Sequence, residues 1–453
     1  MQFKPSKIIN NYIIIGSGFS AAAAVSILIK KKIKPVVVDI GRKKFTINNE
    51  DRKKLPLGIS FNNSFNSLTG FKNTKNTELL ESSSFGGLSR IWGGIINKIQ
   101  RNEADSWPIK IKTLEKYYKH VDNFFFHLGF NDNYSKFFNL KKPDIYIRDN
   151  RNNFFLKKQN KTIFFGNSRE AVDFKKNSFE LNKYFSDLIK KKKIYYIKNF
   201  EVKKIEENSK SIFIFSKNRY LACKKLYVAS GPLATAKILL NSFKSIKKIS
   251  LKETSLILSF WFVKKKINNY DSDRNCDFFL TKISKPFFSS QIYILKDCLI
   301  KKIFKKNTYI SLLLSFVLRF FKNKFIITLS YLDECQSSKI ILEKINNKIF
   351  IKSIPVSVNF YSKVIKTLKS FFLNKIFLIF SIKKKFGYGY HFGSSYPMSK
   401  KKKLKFSDIL GRVNNLRNVH IIDSSILPRI PISTITYTIM ANAARIVDKT
   451  SIK

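Results

Sequence analysis

A short segment near the start of the chain constrains the fold more than any other feature of the sequence. Residues 12–15 form an uninterrupted apolar run, the string GSGFSA follows at residues 16–21, and small or apolar residues continue to position 29. A second apolar run, residues 35–38, ends at Asp39. Apolar runs of this length suit strands that are buried on both faces. The pattern therefore predicts a strand, a tight turn, a helix and a second parallel strand.

The turn in this unit has the residue spacing of a dinucleotide-binding loop. Gly16 permits the tight turn, Gly18 lets the main chain approach a pyrophosphate, and the small Ala21 allows the helix to pack closely on the strand. The start of the helix would offer free N–H groups to the phosphates. Asp39, eighteen positions after Ala21, is placed to bind ribose hydroxyls. Such a unit can hold NAD or FAD, so other motifs must decide between them.

Several later segments are rich in glycine or in short apolar runs. They are GGLSRIWGG at residues 86–94, SWPI with LEKYY within 106–118, LYVASGPLATAKILL at 226–240, HFGSSYPM at 391–398 and VHIIDSSILP at 419–428. In this order they resemble the glucose–methanol–choline (GMC) oxidoreductases, and so does TIMA at residues 438–441. The resemblance implies an FAD enzyme that oxidises CH–OH groups, with sugar- and polyol-oxidising members most similar around Trp92.

The resemblance also implies the domain organisation. The expected fold is α/β, or α+β overall, with a Rossmann-like FAD-binding domain and an inserted, mostly β substrate-binding domain. The FAD-binding domain is expected at residues 8–135, 180–245 and 405–453, and the substrate-binding domain at 136–179 and 246–404. An NAD(P)-dependent dehydrogenase would leave GGLSRIWGG and the C-terminal segments unexplained.

The cofactor-binding residues follow from the two glycine motifs and from the resemblance. They are Gly16, Gly18, Phe19, Ser20, Ala21, Asp39, Gly87, Ser89, Trp92, Gly93, Val202, Ala229, Gly231, Asp423, Ser424, Thr434 and Ile435. Ser89 is expected to donate to a phosphate or ribityl oxygen. Asp423 ends an apolar run, where it could either cap a helix or contact the ligand. A final helix that starts near Thr438 would direct its N-terminal dipole toward the flavin.

His391 is the candidate general base. It aligns with the catalytic histidine of the family's HxxGTxxM segment, and a neutral imidazole can accept a hydroxyl proton near neutral pH. The family's second catalytic position, Asn or His, is Thr434 here, which can hydrogen-bond a substrate oxygen but is not a base. Proton abstraction would then rest on His391 alone, which leaves open a narrower activity, a different partner for the substrate oxygen, or a degenerate enzyme that binds FAD without turnover. His120, His127 and His420 are expected to be structural or surface residues.

The net charge of +56 at pH 7 is the other unusual feature of the chain. Lysine runs are scattered along the whole sequence, and Ile, Asn, Phe and Tyr are abundant with Lys, which is typical of a low-GC coding bias. No zinc-finger, RNA-recognition or basic-zipper pattern is present, so charge is the only support for nucleic-acid binding. We expect a small alcohol or sugar as the substrate, with a lipid-linked one left open, and no nucleic-acid partner.

A basic protein at a membrane surface is the rival interpretation. Residues 300–325 and 363–385 combine Lys and Arg with Leu, Ile and Phe, as membrane-surface segments do. The longest uncharged apolar stretch, residues 307–318, is too short for a transmembrane helix, which needs about 20 residues. The four cysteines have no metal-binding spacing and fit a reducing compartment. We therefore expect a cytoplasmic protein without metal, with peripheral membrane contact left open.

Overall fold

The computed structural model describes most of the chain. The described residues are 10–42, 71–72, 77–147, 161–167, 169–173, 175, 179–267, 275–296, 300, 316, 318–356, 360–372, 375–400, 405–413 and 415–451. Within these ranges no helix combines the length and the apolar character needed to cross a bilayer. Most of the apolar stretch at residues 307–318 lies outside them.

The helices are α1 Phe19–Lys30, α2 Arg101–Ala104, α3 Lys112–Val121, α4 Asn133–Phe137, α5 Leu181–Lys190, α6 Pro232–Ser242, α7 Phe360–Phe371 and α8 Thr436–Thr450. The strands are β1 Asn10–Ile15, β2 Val36–Val38, β3 Phe71–Lys72, β4 Phe126–Gly129, β5 Ile145–Tyr146, β6 Ile163–Asn167, β7 Glu170–Val172, β8 Tyr195–Ile197, β9 Lys204–Glu207, β10 Ile212–Phe215, β11 Tyr220–Val228, β12 Lys248–Glu253, β13 Leu256–Val263, β14 Phe278–Lys282, β15 Phe288–Ile294, β16 Phe325–Leu332, β17 Lys339–Ile345, β18 Lys348–Ile354, β19 Ile376–Lys383, β20 Phe392–Gly393 and β21 Val419–Ile421.

A seven-stranded sheet forms the first layer. Its order is β8-β2-β1-β11-β10-β9, and β21 pairs with β11 beside this path. The pairs of β1 with β2 and β11, of β2 with β8 and of β11 with β21 are parallel. The strand, turn, helix and parallel strand predicted from residues 12–39 are therefore confirmed.

Helix α1 packs tightly because its first half is made of small residues. Ala21, Ala22, Ala23 and Ala24 are fully buried, and the helix lies against α8. Only a side chain as small as alanine lets a helix approach its neighbours this closely. Helix α8 therefore packs beside α1, although the two helices are more than 400 residues apart in the sequence.

Three further sheets complete the fold. A six-stranded antiparallel sheet has the order β19-β13-β16-β15-β14-β6, and a five-stranded sheet has the order β20-β12-β17-β18-β3. The third sheet has the order β5-β4-β7. The expected fold class, α/β with a Rossmann-like sheet and additional β structure, is confirmed. Strands β3 and β4 pair with strands from the segments assigned to the substrate domain, and the exact domain boundaries stay a prediction.

Candidate functional site

The carboxyl ends of the parallel strands of the first sheet lie at one cavity. Gly16 follows β1, Asp39 follows β2, Ala229 follows β11 and Asp423 lies just beyond β21, and all four residues line the cavity. Parallel α/β sheets bind ligands at this edge because helix N-termini and loops meet there. Residues that are up to 407 positions apart in the chain are thus brought to one place.

Most of the predicted site residues line this cavity. Those that do are Gly16, Gly18, Phe19, Ser20, Asp39, Gly87, Trp92, Val202, Ala229, Gly231, His391, Asp423, Ser424 and Ile435. Ala21, Ser89, Gly93 and Thr434 are not part of the lining. The structure therefore collects residues from six separate stretches of the sequence around one space.

The glycines of the two predicted motifs lie against main chain. Gly16 has a φ of +99°, and a Cβ atom there would lie 2.5 Å from the Ala229 carbonyl oxygen. A Cβ on Gly87 would lie 3.4 Å from the Gly18 Cα atom, so the two glycine loops touch. Around Gly18 and Gly231, by contrast, a Cβ atom would meet nothing within 4 Å. The loops are thus packed on their protein side and open toward the cavity.

Helix α1 begins at the cavity wall. Its N-cap is Gly18, which has no side chain to cap the first turn. The first N–H groups of a helix have no partner within the helix, and the helix dipole makes this end positive. The start of α1 is therefore suited to hold a pyrophosphate.

Ser17 joins the two glycine loops to Asp39. Its hydroxyl donates to the Asp39 carboxylate and accepts from the Gly86 N–H at 2.8 Å. Burial raises the pKa of Asp39 to about 6, against the hydrogen bonds from Ser17 and the neighbouring main chain, which lower it. The carboxylate lines the cavity at the end of β2, as required for a group that binds ribose hydroxyls.

Asp423 caps the short 3₁₀ helix Ser424–Ile426 and also faces the cavity. Its side chain accepts hydrogen bonds from the Ser425 N–H at 2.9 Å, the Gly231 N–H at 3.0 Å and the Thr235 hydroxyl at 2.6 Å. Burial raises the pKa of Asp423, and these donors oppose the rise. Both interpretations of this residue from the sequence are therefore compatible with its position.

His391 lies at the same cavity, beside β20. Its ring stacks on Tyr331 with 4.9 Å between the ring centroids, and its main-chain oxygen accepts from the Thr254 N–H at 3.0 Å. Nδ1 is buried and has no hydrogen-bond partner among the described residues. Burial lowers the pKa of His391 to about 4, so the ring is neutral near pH 7. A neutral ring that lines a cavity is able to accept a proton there.

The other histidines occupy packing positions. His120 Nε2 lies 2.8 Å from the Ser26 hydroxyl of α1, and His127 is buried. His420 lies 2.8 Å through Nδ1 from the Leu410 carbonyl oxygen. None of the three lines the cavity that holds His391.

The predicted residues outside the lining have other contacts. Ser89 donates to the Gly86 carbonyl oxygen at 2.7 Å, so its hydroxyl holds the turn, and its contact with a ligand stays a prediction. The Thr434 hydroxyl is buried without a partner among the described residues, two positions before α8 begins at Thr436. Helix α8 starts earlier than the predicted position 438, with Ile435 and Thr436 at the cavity.

Sequence reasoning missed several lining residues. Ser17 lies within the predicted loop, where its hydroxyl was the available signal. Glu81 and Lys237 also line the cavity, and burial raises the pKa of Glu81 to about 7. Tyr331, which stacks on His391, belongs to a segment without motifs. These side chains meet the site only through the tertiary fold.

Comparison with known proteins identifies the C-terminal part of the chain. Residues 372–443, which include His391, Asp423 and Ile435, match the family model described as GMC oxidoreductase. This segment is therefore similar to the GMC oxidoreductases. The resemblance seen in the sequence motifs is thereby confirmed. The prediction of FAD, the cofactor of GMC oxidoreductases, is confirmed with it.

The whole chain has the fold of a solved oxidase. It superposes on the crystal structure of pyridoxine 4-oxidase from Mesorbium loti with a TM-score of 0.59 and 7% sequence identity. The superposition covers 97% of this chain and 99% of the oxidase chain. No curated protein matches the chain in sequence.

The cavity fits FAD. The open space at Gly18 and Gly231, the free end of α1 and the carboxylate of Asp39 suit the pyrophosphate and ribose of a dinucleotide. The start of α8 and His391 line the same cavity, as required for the end that would hold the flavin ring.

Proposed function

We propose that this protein oxidises the CH–OH group of a small alcohol, namely a sugar, polyol or glycan alcohol. The family match supports an oxidoreductase that acts on CH–OH donors. When bound, FAD would supply the two-electron acceptor, taking the carbinol hydrogen as hydride at flavin N5. The observation that carries the proposal is the neutral, partly buried His391 at the same cavity as the dinucleotide-binding loop.

His391 would take the hydroxyl proton of the substrate. Its low pKa keeps the ring neutral, and Tyr331 fixes the plane of the ring by stacking. The cavity around it is lined by Tyr390 and Phe392 as well, so the reacting hydroxyl would be removed from bulk water. A base that is already neutral needs no prior deprotonation.

The residues near the glycine loops would hold the cofactor. The start of α1 would bind the pyrophosphate, Asp39 the ribose and the Ala229–Gly231 main chain the extended molecule. The start of α8, which has no acidic residue in its first turn, would place a positive dipole end near the flavin ring. Such a dipole favours the negative charge that the ring gains on reduction.

Flavin reduction without oxygen tests this proposal. The purified protein is expected to carry a flavin spectrum, and a panel of sugars, polyols and other alcohols should contain one that bleaches it. A correctly folded protein that binds no FAD would refute the cofactor assignment. A bound flavin that no alcohol bleaches would favour the alternative, an enzyme that has lost its activity. The sequence observation that supports this alternative is Thr434, which stands where the family has Asn or His.

A further inference from the structure

Aromatic side chains are exposed at one end of the six-stranded sheet. Phe377 lies opposite Phe262, Phe380 opposite Phe260 and Ile382 opposite Leu258 in the register of β19 with β13. Directly opposed residues of two antiparallel strands point to the same side of the sheet. Phe325, at the start of β16, joins this side. We define the aromatic face as Phe260, Phe262, Phe325, Phe377, Phe380 and Ile382.

The rings of the aromatic face contact one another. Phe260 stacks on Phe325 with 5.3 Å between ring centroids and on Phe380 with 5.5 Å. Phe262 lies 5.7 Å from Phe325. Phe377, Phe380 and Ile382 are each about half exposed, at 50%, 45% and 51%. A continuous apolar surface of this kind usually marks an interaction site.

Phe260 and Phe325 pack on a buried cluster at the inner edge of the aromatic face, whereas Phe377, Phe380 and Ile382 of β19 are not part of the buried clusters among the described residues. The opposite side of the same strands is covered by α7, whose Val364 and Leu368 belong to one buried cluster with Trp261. Strand β19 is the edge strand, and it pairs with β13 alone among the described strands. An exposed edge strand with large apolar side chains is a liability unless a partner covers it.

The three segments that carry the aromatic face contain positive charges and no negative ones. Residues 255–267, 318–332 and 360–385 contain thirteen Lys or Arg and no Asp or Glu. Lys264, Lys265, Lys266 and Lys375 lie exposed where β13 ends and β19 begins, and Lys383 lies exposed at the other end of β19. The Lys264 N–H donates to the Lys375 carbonyl oxygen at 2.8 Å, so these basic positions are held together.

We propose that the aromatic face docks on a bilayer that contains anionic lipid. Phenyl rings and an isoleucine can enter the boundary between headgroups and acyl chains, while flanking lysines meet the lipid phosphates. A second copy of the chain would bring the same lysines and a net charge of +56 to the interface, and like charges repel. An anionic, apolar surface complements both properties of the face.

One strand of the six-stranded sheet connects the aromatic face to a residue that contacts the cavity lining. Strand β16 runs from Phe325 on the aromatic face to Tyr331, the ring that stacks on His391. Six residues of an extended strand span about 20 Å. A bilayer at the aromatic face would therefore lie near the cavity without filling it, and the inference does not depend on which alcohol the cavity binds.

Sedimentation with vesicles tests the proposal on the full-length protein. Vesicles of phosphatidylcholine with about 30% phosphatidylserine are expected to bind the protein, and pure phosphatidylcholine vesicles are not. Binding should weaken when the salt concentration rises from about 0.1 M to about 0.5 M. Equal binding to both vesicle types, or none to the anionic ones, would overturn the proposal.

Two matched pairs of variants locate the contact. Phe380→Ser should weaken vesicle binding about tenfold, whereas Phe126→Ser, at the same 45% exposure on β4, should not change it. Replacing Lys264, Lys265 and Lys266 by Gln should cost about fivefold per charge, and replacing Lys190, Lys191 and Lys193 much less. Equal losses in both members of a pair would show that the face is not the contact.

The same variants separate a bilayer from a second copy. Sedimentation velocity without vesicles should give a monomer for the wild type and for Phe380→Ser. A wild-type dimer that Phe380→Ser converts to monomer would mean that the aromatic face is a self-association surface, which refutes membrane docking. Circular dichroism of each variant establishes that the fold is retained.

Discussion

The two ends of the cavity are built from different parts of the protein. The glycine-loop end consists largely of main chain: Gly16 contacts Ala229, Gly87 contacts Gly18, and α1 presents its N-terminus. The other end depends on side chains: His391, from the segment before β20, lines the cavity and stacks on Tyr331 of the six-stranded sheet. Main chain recognises a part of the cofactor that is common to many enzymes, whereas side chains determine the chemistry.

Substitution of His391 should have the largest effect at the side-chain end. His391→Gln is expected to slow substrate-dependent flavin reduction by about 10²–10⁴-fold, or about 3–5 kcal/mol, because the proton acceptor is lost. The rate is measured anaerobically by stopped flow with FAD bound. His420→Gln is the control, since His420 is buried and outside the cavity, and it should keep its rate. Equal rates for wild type and His391→Gln would contradict the assignment of the base.

Substitution of Gly16 should have the largest effect at the main-chain end. Gly16→Ala places a methyl group 2.5 Å from the Ala229 oxygen at a φ of +99°, which should cost about 3 kcal/mol of unfolding free energy. Urea denaturation measures this loss. Gly18→Ala meets no atom within 4 Å and should lose less than about 1 kcal/mol of stability, yet bind FAD more weakly. Equal destabilisation by the two variants would mean that the loop contact at Gly16 is unimportant.

Asp39 should make cofactor binding depend on pH. Its pKa of about 6 is raised by burial, so the carboxylate that would accept ribose hydrogen bonds forms as the pH rises through 6. If only the ionised form binds well, the Kd for FAD should fall about tenfold between pH 5 and pH 7. Fluorescence titration measures it at each pH. Asp39→Asn should bind weakly and without this dependence, and a similar slope in the variant would assign it to another group.

His391 should contribute the smallest pH effect. Burial lowers its pKa to about 4, so the imidazole loses its proton below the working range and stays neutral above it. With FAD saturating, kcat/KM is expected to change less than about twofold between pH 5.5 and pH 8 through this group. A fall of about tenfold on lowering the pH to 5.5, as for a histidine of ordinary pKa, would show that the ring is more hydrated than its burial indicates.

The sequence predicted the main-chain end well because its signals are local. A glycine at position 16 between two apolar runs specifies a turn and a parallel pair of strands without reference to the rest of the chain. Helix α1 ends at Lys30, one residue after the small and apolar run, and α8 starts two residues before the predicted Thr438. Such shifts of one or two residues arise because helix ends depend on capping contacts, which the pattern of apolar residues does not reveal.

The side-chain end was predicted only where a family motif was available. His391 was found through the resemblance, but nothing in the sequence indicated that Tyr331 would stack on it or that Glu81 and Lys237 would face the same cavity. Ser89 was expected to donate to a phosphate or ribityl oxygen; in the structure it donates to the Gly86 carbonyl oxygen, and its contact with a ligand stays a prediction. A short polar side chain in a tight turn bonds the nearest main-chain group, which sequence spacing cannot foresee.

The positive charge of the protein shows the same contrast between what the sequence determines and what only the tertiary structure determines. The sequence by itself determined that the chain is strongly basic, that it has a dinucleotide-binding unit and that it resembles the GMC oxidoreductases. The tertiary structure alone decided which lysines lie together and which phenyl rings stay exposed. Antiparallel pairing of β13, β16 and β19 brings three acid-free segments side by side, because sheet neighbours are set by register and not by distance along the chain.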